Sequence, residues 1–346
     1  MLKKMVHYLS LLTILIGPSI ALANDFLLGV GVHPQSFPGG AESLFRQIER
    51  LHAQSIRTDY PWYQVEGSKG VYTVPNKEIE DTLNKAIDKN ITPIIILGYG
   101  NPIYNEKTKN NPRMKPIGEK SVAGFVNYAT WASNHFADKD VIFEIWNEWV
   151  QGGGGGKKIT LSDASLRSYS NLINKTCFAI KNNNRNAKVI IGSTSPFDNK
   201  SNFWLRSLIT NLDMKCVDGI SLHAYHYFPK RKTINAESVV KELDELQNYL
   251  HGSGSGKDGI PIPFYITEIG VPGISSARYN DSDIADYFER LIPLLKSKSY
   301  IKGVWWYDLI DDGDNKDNIE HNFGLLNVNK MDKPVVNKFI SMAKGL

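Results

Sequence analysis

Eight short apolar segments recur along the chain, each bounded by turn-forming or polar residues. They are Leu27–Val32, Ser55–Thr58, Pro93–Leu97, Val141–Trp146, Val189–Gly192, Gly219–His223, Pro263–Thr267 and Gly303–Tyr307. Their length and β-branched content read as strands. Helical periodicity lies between most of them, as in Ala41–His52, Glu78–Lys89, Ser121–His135, Ser165–Lys181, Ala236–His251 and Asp283–Ser297. Pro334–Leu346 reads as a closing helix. Strand–helix alternation repeated eight times predicts an α/β fold with a parallel sheet closed into a single (β/α)8 TIM barrel. An open, doubly wound sheet would need a glycine-rich phosphate loop after an early strand, and the sequence has none.

The first 23 residues have a separate logic. Lys3 and Lys4 precede an apolar stretch from Leu9 to Ile16, and Ala21-Leu22-Ala23 follows. This is the order of a secretory signal peptide, with cleavage after Ala23 and a barrel domain over 24–346. The apolar run is too short to span a bilayer comfortably, and Gly17-Pro18 interrupts it. The expectation is an exported protein, periplasmic or secreted from a bacterium, with no membrane attachment after cleavage. Without Lys3 and Lys4 the 40 basic residues become 38 against 36 acidic ones, a net charge near +2. That balance gives no footing for nucleic acid or anionic membrane partners. A monomer is expected.

Two cysteines, Cys177 and Cys216, fall in a helical pattern and just before a strand. Export permits a bridge between them, and two buried thiols fit equally well. Neither has the local ligands of a metal site, so no metal and no cofactor are expected. Gly152–Gly156 is a five-glycine run beyond the fourth strand, either a rim of the barrel mouth or an inert insertion. Gly252–Gly259 reads as a connector on the opposite face. Asn174-Lys175-Thr176 has a glycosylation pattern that matters only in a eukaryotic secretory route.

Barrels of this kind carry their chemistry at the C-terminal ends of the strands. Polar residues fall there in strand after strand: His33, Arg57 and Asp59, Asn147 and Glu148, His223 and Tyr225, Glu268, then Trp306 and Asp308. A lone glutamate past a strand is usually a solvated loop residue; agreement over six strand ends is not expected of random loops. The two strongest strings are Phe143-Glu144-Ile145-Trp146-Asn147-Glu148 and Tyr265-Ile266-Thr267-Glu268, each an apolar run ending in a carboxylate. Two carboxylates at strand ends are what glycosidic bond cleavage requires. Seven Trp and sixteen Tyr also supply rings on which pyranose faces can stack, although most will serve the core.

These residues resemble the clan A glycoside hydrolases, the retaining (β/α)8-barrel glycosidases, over essentially the whole chain beyond residue 23. The resemblance implies Glu148 as acid/base and Glu268 as nucleophile, with Asn147 on the sugar 2-hydroxyl. It implies Arg57 as the strand-two arginine that keeps the nucleophile ionised, and His223-Ala224-Tyr225 as the strand-six His-x-Tyr. Trp306 would floor the subsite of the cleaved sugar, and the clan often has a cis peptide after that Trp. Two longer strings narrow the likeness. One is Arg57-x-Asp59-x-x-Trp62-x-x-x-Glu66-x-x-x-Gly70-x-Tyr72. The other runs Trp306-Tyr307-Asp308, Asp312-Gly313, Glu320-His321-Asn322-Phe323-Gly324-Leu325-Leu326 and Lys333-Pro334. Both look most like family 39 and relatives that cut bacterial exopolysaccharides, with family 5 as competitor. The chain departs from the clan in placing Trp149 where Pro commonly follows the Asn-Glu pair. Its third strand ends in Gly98-Tyr99-Gly100-Asn101, where family 5 tends to carry a His.

The reading is a retaining glycosidase that cuts inside a polysaccharide. The alternatives are an exo-acting xylosidase-like enzyme, a transglycosylase and a non-catalytic sugar-binding barrel. Substrate contacts are expected from Asn147, Arg57, His223, Tyr225, Trp306, His33 and Trp149, with Trp62 and Tyr99 as further platforms. Asp59 is read as structural, pairing with Arg57, and Glu144 as a buried support. Trp146 and Trp149 are expected to flank Glu148.

Overall fold

The computed structural model describes residues 26–104, 114–150, 161–226, 234–254 and 259–346. Eight parallel strands close on themselves in sequence order: β1 (Leu27–Gly31), β2 (Ser55–Pro61), β3 (Thr92–Gly98), β4 (Ile142–Ile145), β5 (Lys188–Thr194), β6 (Gly219–His223), β7 (Phe264–Ile269) and β8 (Ile301–Trp306). The ring closes where β1 pairs with β8, Leu27 opposite Gly303. The signal-peptide reading and the five-glycine run lie outside the described residues, as does part of the Gly252–Gly259 connector.

Nine helices are described. They are α1 (Gly40–Leu51), α2 (Trp62–Val65), α3 (Lys77–Asp88), α4 (Glu119–His135), α5 (Asp163–Asn183), α6 (Asn199–Asn211), α7 (Ala236–Gly252), α8 (Asp281–Lys296) and α9 (Val335–Lys344). Short polar side chains start the crossover helices. Ser162, Asp198 and Asn235 each accept from a backbone N–H of the first turn. Asn280 and Asp283 form a reciprocal capping box on α8. No helix among the described residues is long and apolar enough to cross a membrane.

Alternation along the strands divides the core in two. Ile94, Ile142, Ile190, Tyr265 and Trp305 pack together inside the barrel. The Trp305 indole donates to Ser55 Oγ at 2.7 Å, which satisfies its one polar atom in that interior. The opposite phase of each strand packs outward against the helices in the larger core. Cys177 on α5 and Cys216 before β6 form a disulfide, resolving the two open alternatives for these residues.

Candidate active site

The chain leaves β4 through two left-handed residues. Trp146 has φ 67° and Glu148 has φ 49°, a conformation that costs non-glycine residues about 1–3 kcal/mol each and clusters at functional sites. The turn sends Trp146 and Trp149 back into the core and leaves Asn147 and Glu148 facing the barrel mouth. Across the barrel, the pairing of β7 with both neighbours slips near Glu268: between Ser221 and His223 on one side and between Ile266 and Ile269 on the other. Such irregularities re-aim a side chain, and here Glu268 reaches the same cavity.

The cavity has a volume of about 550 Å³ and opens at the C-terminal ends of the strands. Asn147, Glu148, Arg57, Tyr225, Glu268 and His33 all line it. At its floor Arg57 uses three nitrogens on three partners. Nη1 donates to Glu268 Oε1 at 2.6 Å, Nε to Glu144 Oε2 at 2.7 Å and Nη2 to Asn147 Oδ1 at 2.9 Å. Guanidinium is donor-only, so the Asn147 oxygen must face it and the amide NH2 is left to meet a substrate hydroxyl. Glu144 is fully buried and also accepts from the Ser193 and Ser221 hydroxyls, confirming it as a buried support.

The other Glu268 oxygen accepts from the Tyr225 hydroxyl at 2.8 Å. Burial alone would raise the Glu268 pKa. The charges of His223 and Arg57 and the hydrogen bonds from Tyr225 and Arg57 outweigh it and hold the carboxylate below its ordinary value. His223 Nδ1 lies 3.0 Å from Glu148 Oε1 and 3.3 Å from Glu268 Oε2. Burial opposes its protonation, but the Glu268 charge and the Glu148 bond raise its pKa overall. His223 is 2 % exposed and does not line the cavity, so it couples the two carboxylates rather than serving as the expected sugar contact. Donor atoms of Glu148, His223 and Glu268 lie within 4.8 Å of one another, and among the described residues this is the one cluster that could hold a metal ion. The Arg57 guanidinium already occupies the cationic position beside Glu268, which disfavours a second cation there.

Three aromatic assignments change. Trp306 is 1 % exposed and packs edge-on to Phe288 of α8, on the outer face of the barrel. Two adjacent tryptophans leave the strand phase ambiguous in sequence; because Trp305 points inward, Trp306 points out and Tyr307 returns to the cavity wall. The cis peptide follows Tyr307, one residue later than the clan pattern suggested. Trp149 is fully buried, stacked on Tyr169 at 4.9 Å with its indole N–H on Ser165, and is not a sugar platform. Trp62 is also buried. Its N–H donates at 2.6 Å to Glu66, which also takes the Gly70 N–H and the Tyr104 hydroxyl. The Trp62–Gly70 string is therefore a structural clamp.

Tyr99 lines the cavity and donates to Asp59 Oδ2 at 3.0 Å. Asp59 does not pair directly with Arg57; it faces the cavity, and burial raises its pKa against the lowering pull of His33 and Arg57. His33 Nε2 sits 3.7 Å from Asp308, a carboxyl that burial, Asp312 and Asp311 push well above its usual range. Ile319, Glu320 and Phe323 complete the wall. Sequence reasoning quoted the last two only as parts of a motif. Asp311 fixes their loop by accepting from the Gly324 N–H and Lys333 Nζ. Burial, then Glu148, Asp312 and Glu268, raise the pKa of Glu320.

A sequence model of the glycosyl hydrolase catalytic core matches residues 162–332, a span just short of half the chain that includes Glu268 and not Glu148. Among solved structures, a family 39 glycoside hydrolase from the gut symbiont Bacteroides cellulosilyticus WH2 is similar with a TM-score of 0.73 and 25% identity. The match covers 93% of this chain, which spans only 64% of that one. Native xylanase 10B from Thermotoga maritima is similar at TM-score 0.67 and 15% identity, covering 93% of this chain and 96% of that one. GH5_18 from Streptomyces cattleya follows at 0.68 and 12%, covering 92% and 80%. At their identities the last two show likeness of fold. A search of curated proteins by sequence found no match. The chain thus resembles the clan A barrels, with family 39 among its structural neighbours, as its strand-end motifs suggested.

Proposed function

We propose, on this likeness to clan A glycoside hydrolases, that the chain is a retaining β-glycosidase that hydrolyses a polysaccharide. One observation carries the reading: Glu148 and Glu268 face each other across the cavity with oxygens within 4.8 Å, and only Glu268 is held by a cation and a phenol. Retaining enzymes place their carboxyls about 5–5.5 Å apart, whereas inverting ones need about 6.5–9.5 Å to admit water.

The different surroundings divide the labour. Glu268, kept ionised, attacks the anomeric carbon while Glu148 gives its proton to the leaving oxygen. The bond to Glu268 forms as the glycosidic bond breaks, and the guanidinium loses its facing charge to the ester. Glu148 then takes a proton from water, the water oxygen adds to the anomeric carbon, and Glu268 leaves as carboxylate. His223 touches both carboxylates and can follow the change of charge between them. The Glu268 carboxylate beside the ring favours the positive charge that develops on the sugar. Asn147, pinned by Arg57, offers its NH2 to the 2-hydroxyl.

The signal-like residues 1–23 support action outside the cytoplasm, with a cell-surface exopolysaccharide as one substrate class. The test is oligosaccharide release from a panel of β-linked polysaccharides, including the producing cell's own exopolysaccharide, with Glu268→Gln alongside. Release by the wild type alone is expected. Equal release by both proteins would remove Glu268 as nucleophile, and tight binding without release would favour a sugar-binding barrel.

A further inference from the structure

We propose that the cleft holds a second sugar on the glycone side, in a separate cavity walled by Gln35, Pro61 and Tyr63, so that the enzyme cuts within a chain and does not trim single units from its end. This inference rests on the glycosidase reading above and names the geometry of its substrate.

The line from Glu268 on β7 to Glu148 on β4 divides the barrel mouth. On one side stand β8, β1, β2 and β3; on the other, β5 and β6. Among the described residues the main cavity takes its wall mostly from the first side, with His33, Asp59, Tyr99 and Tyr307 among its members, and Tyr225 from the second. The sugar that becomes attached to Glu268 needs the fuller set of contacts, because its binding must strengthen at the transition state. We place it over β8–β3, where His33, Asp59, Tyr99 and Tyr307 offer those contacts, with the leaving group over β5 and β6.

On the walled side the space does not end. A second cavity of about 220 Å³ shares His33, Thr58, Asp59 and Tyr99 with the first. The Tyr99–Asp59 hydrogen bond of 3.0 Å stands where the two meet. An exo-acting enzyme blocks this direction, since its substrate ends there. Beyond the Tyr99–Asp59 bond, the second cavity has a wall that combines a ring with exposed polar groups. Tyr63 lies edge-on to Tyr99 at 6.3 Å, and the Gln35 amide oxygen accepts from Gln64. A ring face beside amide groups is the chemistry that binds a pyranose: its apolar face stacks and its hydroxyls find partners. Neither Tyr63 nor Gln35 touches the carboxylate pair, so the site adds binding energy away from the reacting atoms.

The experiment compares kcat/KM on 4-nitrophenyl monosaccharides with that on 4-nitrophenyl xylo-, manno- and gluco-oligosaccharides of two to four units. Wild type, Tyr63→Ala and Gln35→Ala are run in parallel. Loss of a remote contact is expected to lower kcat/KM on the longer glycosides by roughly tenfold for Tyr63→Ala and less for Gln35→Ala, with monosaccharide values unchanged. Equal losses on short and long substrates, or none on either with the wild type active, would overturn the second subsite and leave the glycosidase intact. No cleavage of any glycoside by the wild type would instead overturn the glycosidase reading and the subsite with it.

Discussion

Arg57 Nη1 lies 2.6 Å from Glu268 Oε1, and both side chains are buried at the floor of the cleft. The same guanidinium bonds Glu144, so one cation is shared between two buried carboxylates. Such a triad depends on its central member, because removing it strands two charges in low dielectric.

Arg57→Lys keeps the charge but cannot reach three partners with one ammonium. Less cationic stabilisation of Glu268 allows burial to raise its pKa. The acid limb of the kcat/KM profile should therefore move to higher pH, and Arg57→Leu should destabilise the fold by about 3–5 kcal/mol in denaturant titrations. Glu144→Gln should move the acid limb the other way, since Arg57 then faces Glu268 with less competing negative charge.

Linkage sets the pH dependence of stability. Glu268 has a lowered pKa in the fold, so its contribution is present above the unfolded carboxylate value and lost as pH falls through the folded one. His223 has a raised pKa, so its contribution is full below its unfolded value of about 6.5 and lost as pH rises through the folded one. Thermal melts across pH should show both limbs. The alkaline limb should vanish in His223→Gln, and persistence of that limb would remove His223 as its source.

Tyr307, not Trp306, lines the cavity. Tyr307→Ala should lower kcat/KM by roughly tenfold or more, because a wall that positions the substrate is lost. Trp306→Phe should leave kinetics unchanged and cost about 0.5–3 kcal/mol in unfolding, as expected for a core substitution. The opposite pattern would restore Trp306 to the cleft.

The Cys177–Cys216 bridge closes a 39-residue separation. Chain entropy predicts about 4 kcal/mol of stabilisation for such a loop. Reduction or Cys177→Ser with Cys216→Ser should lower the melting temperature and leave activity below it intact, since the pair lies between α5 and the start of β6, away from the cleft.

Strand number, order and the phase of most strand ends were legible, because each strand repeats one local signal and a closed barrel leaves few other topologies. Arg57, Glu144 and Tyr225 stand where their strands' periodicity puts them, whereas Glu268 reaches the cleft through the register slips of β7 and Asn147 through the turn after β4. Trp306 misled because an adjacent aromatic pair reads the same in either phase, and the inward choice falls to Trp305 through its bond with Ser55. Trp149 and Trp62 misled because a tryptophan beside a catalytic string serves equally as core, and only packing against Tyr169 or Glu66 decides. The bridging place of His223 depends on its register against Glu268, a relation between strands that neither strand encodes alone. Tyr307, Glu320 and Phe323 come from the segment after β8, whose fold depends on Asp311 and Lys333 meeting from opposite ends of it.

The central claim is that Glu268 forms a bond to the sugar. The most direct measurement is intact-protein and peptide mass spectrometry after incubation with a panel of activated 2-deoxy-2-fluoro β-glycosides, which slow the second displacement. A single glycosyl adduct on the peptide carrying Glu268, absent from Glu268→Gln, is the predicted result. Turnover of a natural substrate with inverted configuration, or an adduct on Glu148 or Glu320, would contradict it.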